Sequence, residues 1–467
     1  MLQLPPMEAL KPQIRGVGVM MKRMWMVLLA ATLLGGGAVA CGDNDTANNG
    51  GEVNNDDGNN DENNDDGNND TNNDENNDEN NEVECTEEAT PRPASRSEMM
   101  GVFDPQRRQL VFFGGDDGVP VQCNPAPNPI GELWVYDAVC AKFEEIEVAG
   151  GPGARARGLA VLDTKRDRML VFGGRFRAGP AGPYTLYNEV WALNLADYSW
   201  EQLQITGTPP EPRVNTSGAY NPERDEFIIF GGNSSTNGAA FIPHNDVWIL
   251  DLEGLSWREL NTSANRPEPR LFHDSAFDPA TNTLYVYGGG DANAFFGPFL
   301  GDMWSLNVVT GVWTELHGGG AGAPDHRIFP TITFNKFNNT IILFGGHDDQ
   351  AIGNQNDTWS FDPATGQWSP IIAGETINAP ANGFCDFPAD FTIPNVESPE
   401  RRSAHLAALD DTRGEWILFG GKTDCGVIDD VWTFDLQREA WLNLMPAIDG
   451  ESCLRQDNPD QCLAMCR

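Results

Sequence analysis

The stretch Met169-Leu170-Val171-Phe172-Gly173-Gly174 decides the fold, because the chain repeats it with small changes six times. Each copy is a short apolar run that ends in an aromatic residue and two glycines. The glycine pairs are Gly114-Gly115, Gly173-Gly174, Gly231-Gly232, Gly288-Gly289, Gly345-Gly346 and Gly420-Gly421, with first glycines 59, 58, 57, 57 and 75 residues apart. A near-constant period of this length indicates a repeat architecture.

Four further intervals are constant in every copy. Ten residues before the first glycine stands Asp104, Asp163, Asn221, Asp278, Asn335 or Asp410. Eighteen residues before it stands Arg96, Arg155, Arg213, Arg270, Arg327 or Arg402. Downstream, an acidic residue stands two positions before a tryptophan. The acids are Glu132, Glu189, Asp246, Asp302, Asp357 and Asp430, and the tryptophans, in the same order, are Trp134, Trp191, Trp248, Trp304, Trp359 and Trp432. Nine residues after that tryptophan comes Phe143, Trp200, Trp257, Trp313, Trp368 or Trp441.

Each repeat predicts four short antiparallel strands. Runs of branched and aromatic residues are bounded by Gly, Pro, Asn and Asp, as strands in a sheet require. Six such sheets predict an all-β, six-bladed β-propeller with four antiparallel strands per blade. We expect the propeller over residues 85–445, with blades at 94–145, 153–202, 211–259, 268–315, 325–370 and 400–443.

The double glycine after an apolar strand, with the spaced aromatic residues behind it, resembles the kelch repeat over residues 94–445. The tyrosine usual in that family is kept only as Tyr136. Similarity to the galactose oxidase central domain and to sugar mutarotases implies a possible carbohydrate-active enzyme. In the oxidase type this would require copper, a tyrosine cross-linked to cysteine, a second tyrosine and two histidines, and no such cluster is evident in the sequence. We therefore expect no cofactor, with copper only in the enzyme alternative.

The charge distribution bounds the class of partner. The formal net charge is −39, of which residues 43–84 contribute sixteen acidic side chains and no Lys or Arg. Nucleic acid is excluded as a partner, because phosphate binding needs a basic surface.

The N-terminal region predicts export. Residues 1–20 precede a second possible start, and residues 21–40 combine Lys22-Arg23, an apolar run and small residues, as in a signal peptide. The segment resembles that of a bacterial lipoprotein with Cys41 as the lipidated residue, although Ala38 replaces the usual leucine. Residues 41–84 predict a disordered tether, with calcium chelation the rejected alternative. The expected location is the outer membrane or cell surface of a Gram-negative bacterium.

Eight further cysteines are disulfide candidates in an exported protein. They are Cys85, Cys123, Cys140, Cys385, Cys425, Cys453, Cys462 and Cys466. We prefer the pairs Cys123–Cys140 and Cys385–Cys425, with Cys85 joined to the C-terminal tail, residues 446–467. A zinc site is the weaker alternative, because no Cys-x-x-Cys motif with histidine partners is present.

Variable loops place the predicted site. The links between second and third strands and between blades vary in length, whereas the other turns do not, so function is expected on the variable face. We define the loop face by residues 116–131, 175–188, 233–245, 290–301, 347–356, 369–400 and 422–429. Its candidate ligand-binding residues are Tyr184, Tyr187, Phe241, Phe295, Phe296, Phe299, His347, Phe384, Phe387 and Phe391. These aromatic residues either bind a glycan or protein or pack inside the loops.

The six arginines and six acids have two interpretations. They form either a ring of guanidinium groups open to an anion or a repeated structural latch, and their presence in every blade favours the latch. His273 and His405 also occupy equivalent, architectural positions, whereas His326 has no such counterpart. His347 with Asp348 and Asp349 allows a metal-site interpretation that solvated loop acids also explain. The sequence thus predicts a monomeric, membrane-anchored module that binds protein or glycan, with no assigned catalytic or metal-binding residue.

Overall fold

Six four-stranded antiparallel sheets form a β-propeller. The structure, a computed structural model, describes residue 85 and residues 90–118, 127–179, 181–238, 240–294, 296–348, 353–377, 392–393, 397–423 and 426–448. All of them belong to one compact unit. The predicted segments 1–20, 21–40 and 41–84, Cys41, and tail residues 449–467 lie outside the described residues.

Every blade takes its four strands from consecutive chain. The strands of blades 1 to 3 are Met100–Asp104, Gln109–Phe113, Leu133–Asp137 and Lys142–Glu145; Leu159–Asp163, Arg168–Phe172, Val190–Asn194 and Trp200–Gln202; and Ser217–Asn221, Glu226–Phe230, Val247–Asp251 and Ser256–Glu259. Those of blades 4 to 6 are Asp274–Asp278, Thr283–Gly289, Leu300–Asn307 and Val312–His317; Thr331–Asn335, Thr340–Phe344, Thr358–Asp362 and Gln367–Ile372; and Leu406–Asp410, Glu415–Phe419, Val431–Asp435 and Ala440–Met445. The prediction of an all-β, six-bladed propeller is confirmed.

Four two-stranded ribbons extend the loop face. They pair Arg175–Phe176 with Thr185–Leu186, Arg327–Ile328 with His347–Asp348, Thr376–Ile377 with Thr392–Ile393, and Lys422–Thr423 with Gly426–Val427. Among the described residues, no helix is long and apolar enough to cross a membrane.

The invariant Asp or Asn closes the turn between the first and second strands. Asp104 Oδ1, for example, accepts hydrogen bonds from the backbone N–H groups of Gln106 and Arg107 at 2.9 and 3.3 Å. A short side chain that satisfies its own turn in this way favours a tight reversal. In the other five blades the equivalent side chain likewise accepts a hydrogen bond from the backbone N–H two residues further along; these side chains are Asp163, Asn221, Asp278, Asn335 and Asp410.

The glycine pair joins each blade to the next. Gly173 has a φ of +69°, and a Cβ there would lie 2.7 Å from the carbonyl oxygen of Arg213 in the following blade. Gly174 also has a positive φ, and its N–H donates to that carbonyl at 3.3 Å. Only glycine adopts this conformation without strain while allowing so close an approach between backbones.

The second invariant aromatic packs on the preceding blade. The Trp200 ring lies 5.3 Å from Phe113, and Trp257 lies 5.9 Å from Phe172. The equivalent pairs are Trp313 with Phe230, Trp368 with Tyr287, and Trp441 with Phe344. Buried aromatic pairs contribute about 0.5–1.5 kcal/mol each beyond their area. The aromatic positions of the repeat therefore form the inter-blade core.

Blade 1 closes the ring on blade 6 without exchanging a strand. Phe143 repeats the aromatic contact by packing 5.3 Å from Phe419. The N–H of Gly421 donates to the carbonyl of Arg96 at 2.9 Å, as the second glycine of other blades does to the arginine that follows. The ring closes with the same contacts that join its other blades.

The disulfide predictions need correction. Cys85 is bonded to Cys140, with Cα atoms 5.4 Å apart. The predicted Cys123–Cys140 pair is therefore wrong, and so is the link from Cys85 to the tail. Cys140 lies in the turn between the third and fourth strands of blade 1, so the disulfide links the segment just before blade 1 to blade 1 itself. Cys123, Cys385, Cys425, Cys453, Cys462 and Cys466 lie outside the described residues.

Candidate functional site

Each invariant arginine is used inside its own blade. Its Nε donates to the carbonyl two residues earlier in all six blades. In blades 2 to 6 its Nη1 donates to the carbonyl of the first glycine of the pair. Its guanidinium group also pairs with the invariant acid of the third strand. We call this arrangement the latch, and it is the structural interpretation of the two that the sequence allowed.

The invariant tryptophan completes the latch. In blade 3, both carboxylate oxygens of Asp246 bind Arg213, at 2.6 and 3.0 Å, and Trp248 Nε1 donates to Oδ2 at 2.7 Å. Burial by itself would raise the pKa of Asp246, but the hydrogen bonds and charge of Arg213 outweigh it and hold that pKa below its ordinary value. Arg213 is thus neutralised and held by its own blade.

The latches differ in how deeply the acid is buried. The exposed fractions of the acid side chains, from blade 1 to blade 6, are 41, 23, 21, 18, 11 and 3%. In blade 1, Glu132 makes a single contact of 2.7 Å with Arg96. In blade 6, Asp430 binds both terminal nitrogens of Arg402, at 2.5 and 2.7 Å. The invariant positions are therefore chemically alike but energetically unequal.

A ring of six residues surrounds the axis at the loop face. These are the residues two positions after each latch arginine: Glu98, Arg157, Asn215, Phe272, Phe329 and Ala404. All six have positive φ, between 52° and 62°. Backbone bonds join several neighbours in this ring: the N–H of Arg157 donates to Glu98 O at 3.0 Å, that of Glu98 to Ala404 O at 2.8 Å, that of Asn215 to Arg157 O at 3.1 Å and that of Phe329 to Phe272 O at 2.7 Å. We call this ring the channel mouth.

The channel mouth breaks the repeat symmetry. Its blade 1 and blade 2 members are charged, whereas its blade 4 and blade 5 members are Phe272 and Phe329, whose rings are in contact with centroids 4.2 Å apart and planes tilted by 35°. The Arg157 guanidinium group reaches across the mouth to lie 5.3 Å from each of these rings. The sequence analysis missed these residues, because it sought the site in loops of variable length, whereas these residues stand at a fixed place in each repeat. The sequence signal that could have identified them is a residue type that changes from blade to blade at one fixed position of the repeat.

A second set of residues adjoins the mouth, one position after each glycine pair. Its members are Asp116, Arg175, Asn233, Gly290, His347 and Lys422, each paired by its backbone with the residue that follows a latch arginine. Glu98 accepts contacts from Arg157 at 2.5 Å, from Arg175 at 3.4 Å and from Lys422. Burial would raise the pKa of Glu98, but these three cations hold it well below its usual range.

Beneath the mouth lies a central cavity of about 210 Å³. It is lined by the first strands and the residues before them, including His273, Asp274 and His405. Burial raises the pKa of Asp274 to about 7, although the N–H of Ile332 donates to its carboxylate at 2.8 Å. Burial and the nearby Arg270 lower the pKa of His273 to about 3, and burial likewise lowers that of His405. Both imidazoles are therefore neutral, and they pack against Phe230 and Phe344 in equivalent ways.

The predicted aromatic ligand-binding residues separate into packed and exposed ones. Tyr184 is buried, and the guanidinium groups of Arg175 and Arg177 lie 4.1 and 4.3 Å from its ring. Tyr187 is half-buried with Arg155 4.0 Å from its ring. Phe241 and Phe299 pack in a small core beneath the loops of blades 3 to 5.

Among those predicted residues that the structure describes, Phe296 is the exception, with 87% of its surface exposed. Ile242, on the neighbouring loop of blade 3, is 56% exposed. Phe295, Phe384, Phe387 and Phe391 lie outside the described residues. The loop face therefore presents an exposed apolar side on blades 3 and 4.

His347 and His326, the two other histidines that the sequence singled out, contact polar groups of their own loops. His347 lies 3.3 Å from Asn354 through Nδ1, and the neighbouring Asp348 accepts bonds from Gln355 and from the N–H of Gly353. His326 lies 3.1 Å from the carbonyl of Phe299 and packs against Gly301. Within the described part of the chain, no three His, Cys, Asp or Glu side chains are grouped as a metal site would need.

Comparison with known proteins agrees with this architecture. The sequence model of the KLHDC2/KLHL20/DRC7 Kelch-repeats domain matches residues 38–224 and 219–386. The Leucine-zipper-like transcriptional regulator 1 homolog of Drosophila melanogaster is 27% identical over 322 residues, which are 67% of this chain and 28% of that protein. Host cell factor 1 of Homo sapiens is 28% identical over 273 residues, 54% of this chain and 12% of that protein. The dynein alpha chain of the Chlamydomonas reinhardtii flagellar outer arm is 32% identical over 205 residues, 40% of this chain and 4% of that protein.

The chain thus spans less than a third of the length of each of these relatives. The sixth blade, beyond the matched ranges, repeats the latch, the glycine pair and the inter-blade aromatic contact of the other five. On the family match and the six observed blades, the chain belongs to the kelch-repeat family of β-propellers.

Proposed function

We propose that this protein is a protein-binding module that recognises its partner with the loop face. The observation that carries the proposal is the contrast between the two kinds of repeat position. Residues that hold the blades are chemically alike in all six copies, whereas residues around the channel mouth differ in charge and polarity from blade to blade. A binding site needs side chains specific to their position, and loops on a rigid scaffold provide them.

A protein partner fits this face better than the glycan that the sequence also allowed. Tyr184, Phe241 and Phe299 are packed within the loops, so their rings are not free to stack on sugars. The exposed apolar residues Phe296 and Ile242 suit the apolar centre of a protein interface. The carbohydrate-active enzyme, with or without copper, stays a prediction from resemblance.

We further propose that the protein is exported and anchored through a lipid on Cys41. The signal-like segment 21–40 supports this, and the Cys85–Cys140 disulfide fits an oxidising compartment. We expect Cys41→Ser to move the protein from the membrane fraction to the soluble fraction. An unchanged membrane fraction would contradict the anchor.

Site-specific photo-cross-linking in the cells of origin tests the binding face. A photoreactive amino acid replaces Phe296 on the loop face or, as the matched control, Val309, which is 51% exposed in a turn on the opposite face. We expect a discrete protein adduct from position 296 and none from position 309. The absence of an adduct from position 296, or the same adduct from both positions, would contradict the proposal.

A further inference from the structure

The junction between blade 6 and blade 1, which we call the seam, joins the two ends of the propeller. At the other five junctions the chain itself runs from one blade into the next, whereas blade 6 ends with Met445 and blade 1 begins with Met100. A covalent linker keeps two neighbouring parts at a high effective concentration. The seam depends on contacts instead, so it is the junction at which the ring opens most easily.

The residues before blade 1, Cys85 and residues 90–95, are held at both ends, and we call them the N-terminal strap. At one end, Cys85 is bonded to Cys140 in blade 1. At the other end, the next residue is Arg96, which the latch of blade 1 holds through Glu132. Because both ends are fixed to blade 1, the strap between them stays close to the seam.

One side chain of the strap contacts both blades of the seam. Arg92 donates to the carbonyl oxygen of Asp429 at 2.8 Å and to that of Pro446, just beyond the last strand of blade 6, at 3.0 Å. Its guanidinium group also lies 3.4 Å from the Asp429 carboxylate. On the blade 1 side, the same group lies 6.0 Å from the ring of Phe143, within the range of a cation–π contact.

Asp429 also holds the chain that leaves blade 6. Its side chain is 4% exposed, and its Oδ1 accepts a hydrogen bond from the N–H of Ile448 at 3.1 Å. Burial raises the pKa of Asp429, and the charge of Arg92 only partly offsets this effect. Moving Arg92 away leaves a buried carboxylate without that cation, which costs stability. The strap and the end of blade 6 therefore meet at one buried ion pair.

We propose that the N-terminal strap is a redox-sensitive clamp, which holds the seam shut while the Cys85–Cys140 bond is intact and releases it when a dithiol reduces that bond. One thiolate of the dithiol attacks a sulfur of the disulfide, and its second thiolate then attacks the mixed disulfide. The dithiol is oxidised to a cyclic disulfide, and Cys85 and Cys140 each gain one electron and one proton. With its first residue free, the strap loses more entropy each time that Arg92 docks on blade 6.

The clamp links the closed ring to the redox state of its surroundings. An open seam breaks the bond from the N–H of Glu98 to the carbonyl of Ala404, and it separates Phe143 from Phe419 in the apolar core that the two blades share. The closed ring is therefore favoured in an oxidising compartment, which is where the proposed export would place the protein. Neither the clamp nor its release depends on the identity of a binding partner.

Hydrogen exchange of the backbone amides in the folded full chain, followed by mass spectrometry, tests the clamp. The reporters are the N–H groups of Glu98 and Gly421, whose hydrogen bonds cross the seam at 2.8 and 2.9 Å. The matched controls are those of Phe329 and Gly232, which make the equivalent bonds between blades 4 and 5 and between blades 3 and 4, at 2.7 and 3.0 Å. Exchange is measured on the wild type with and without dithiothreitol.

Two variants separate the disulfide from the ion pair. Cys85→Ser combined with Cys140→Ser removes this bond alone, whereas Arg92→Gln weakens the contacts with blade 6 and keeps the bond. The matched control is Arg266→Gln, since Arg266 is an exposed arginine at the equivalent place in the repeat, four residues before a latch arginine.

We expect dithiothreitol to speed exchange at Glu98 and Gly421 about tenfold or more, because local opening at the seam exposes these amides. Exchange at Phe329 and Gly232 should change by less than about twofold, since their junctions keep a covalent linker. The double cysteine variant should exchange in the same pattern without reductant, and reductant should add little at these amides. Arg92→Gln should also speed exchange at Glu98 and Gly421, and its matched control should not.

Three outcomes would overturn the clamp. Equal acceleration at the seam and at the control amides would mean that the bond stabilises the whole fold and not this junction. Unchanged exchange at Glu98 and Gly421 in the reduced wild type would mean that the bond does not hold the seam. Exchange in Arg92→Gln identical to that of the wild type would mean that the strap does not hold blade 6. If the double cysteine variant fails to fold, the reduced wild type and Arg92→Gln still decide the question.

Discussion

The gradient of burial among the six latches predicts that chemically matched substitutions will have very different effects. Asp430→Asn in blade 6 and Glu132→Gln in blade 1 each remove one carboxylate charge and keep the size of the side chain. Asp430 is 3% exposed and binds two nitrogens of Arg402, whereas Glu132 is 41% exposed and makes one contact with Arg96. Both acids also accept a bond from their tryptophan, at 2.8 and 2.9 Å.

The expected magnitudes follow from solvent access. Removing one partner of a buried ion pair leaves an uncompensated charge and costs about 3–5 kcal/mol. Arg402 has a fully buried side chain, so Asp430→Asn should lower the free energy of unfolding by an amount in that range. Arg96 is also buried, at 1% exposure, but Glu132 is 41% exposed, so solvent weakens the pair before it is broken. We therefore expect Glu132→Gln to cost about 1–3 kcal/mol, the cost of leaving a buried donor with a poorer acceptor. Asp302→Asn in blade 4, with its acid 18% exposed, should fall between them.

Equilibrium urea unfolding, followed by the fluorescence of the tryptophans, measures these differences. Asp411→Asn serves as the control, because this acid is 60% exposed and its ion pair with Lys336 is a loose 3.8 Å contact. It should change the unfolding midpoint very little. Equal costs for Glu132→Gln and Asp430→Asn, or a larger cost for Glu132→Gln, would refute the argument that burial sets the strength of the latches.

Three further predictions concern the cavity, the disulfide and the glycine pair. Asp274 has a pKa of about 7 in the folded protein against about 3.9 in the unfolded chain, so the wild type should lose stability as pH rises from 4 to 7. At pH 8, Asp274→Asn should therefore be more stable than the wild type, by at most about 4 kcal/mol. A difference in unfolding free energy that does not change with pH would contradict this. Cys140→Ser removes the bond to Cys85 and should cost about 2–4 kcal/mol in urea unfolding, an effect that reductant must reproduce in the wild type but not in the variant. Gly173→Ala, at φ +69° and against a neighbouring carbonyl, should cost more than about 1 kcal/mol, whereas Gly153→Ala, with open space around its Cβ, should cost far less; similar thermal midpoints for the two would contradict the steric account.

The sequence could predict the face of the propeller that holds the candidate site, but not the contacts between side chains that come together only when the ring closes. The loop face followed from loop lengths, because a constant turn and a variable link are visible in the sequence. The fate of its aromatic residues did not follow. Tyr184 is covered by two arginines and Phe299 by a small core, whereas Phe296 is exposed, and nothing in their local sequence distinguishes them.

The amino-acid sequence by itself determined the six blades and their internal frame. Every invariant residue acts within one blade or on the blade beside it, so its partner is near in the sequence except where blade 1 meets blade 6. The latch of Arg213, Asp246 and Trp248 is one such local unit, and repetition of the unit dictates the propeller.

Only the tertiary structure decided the disulfide and the channel mouth. Cys140 bonds to the cysteine that the fold brings within 5.4 Å, and no spacing in the sequence singles out Cys85. At the mouth, Glu98 of blade 1 meets Arg157 of blade 2 and Lys422 of blade 6, separated by 59 and 324 residues. Such contacts depend on closing the ring, because the closed ring is what brings the first and last blades side by side.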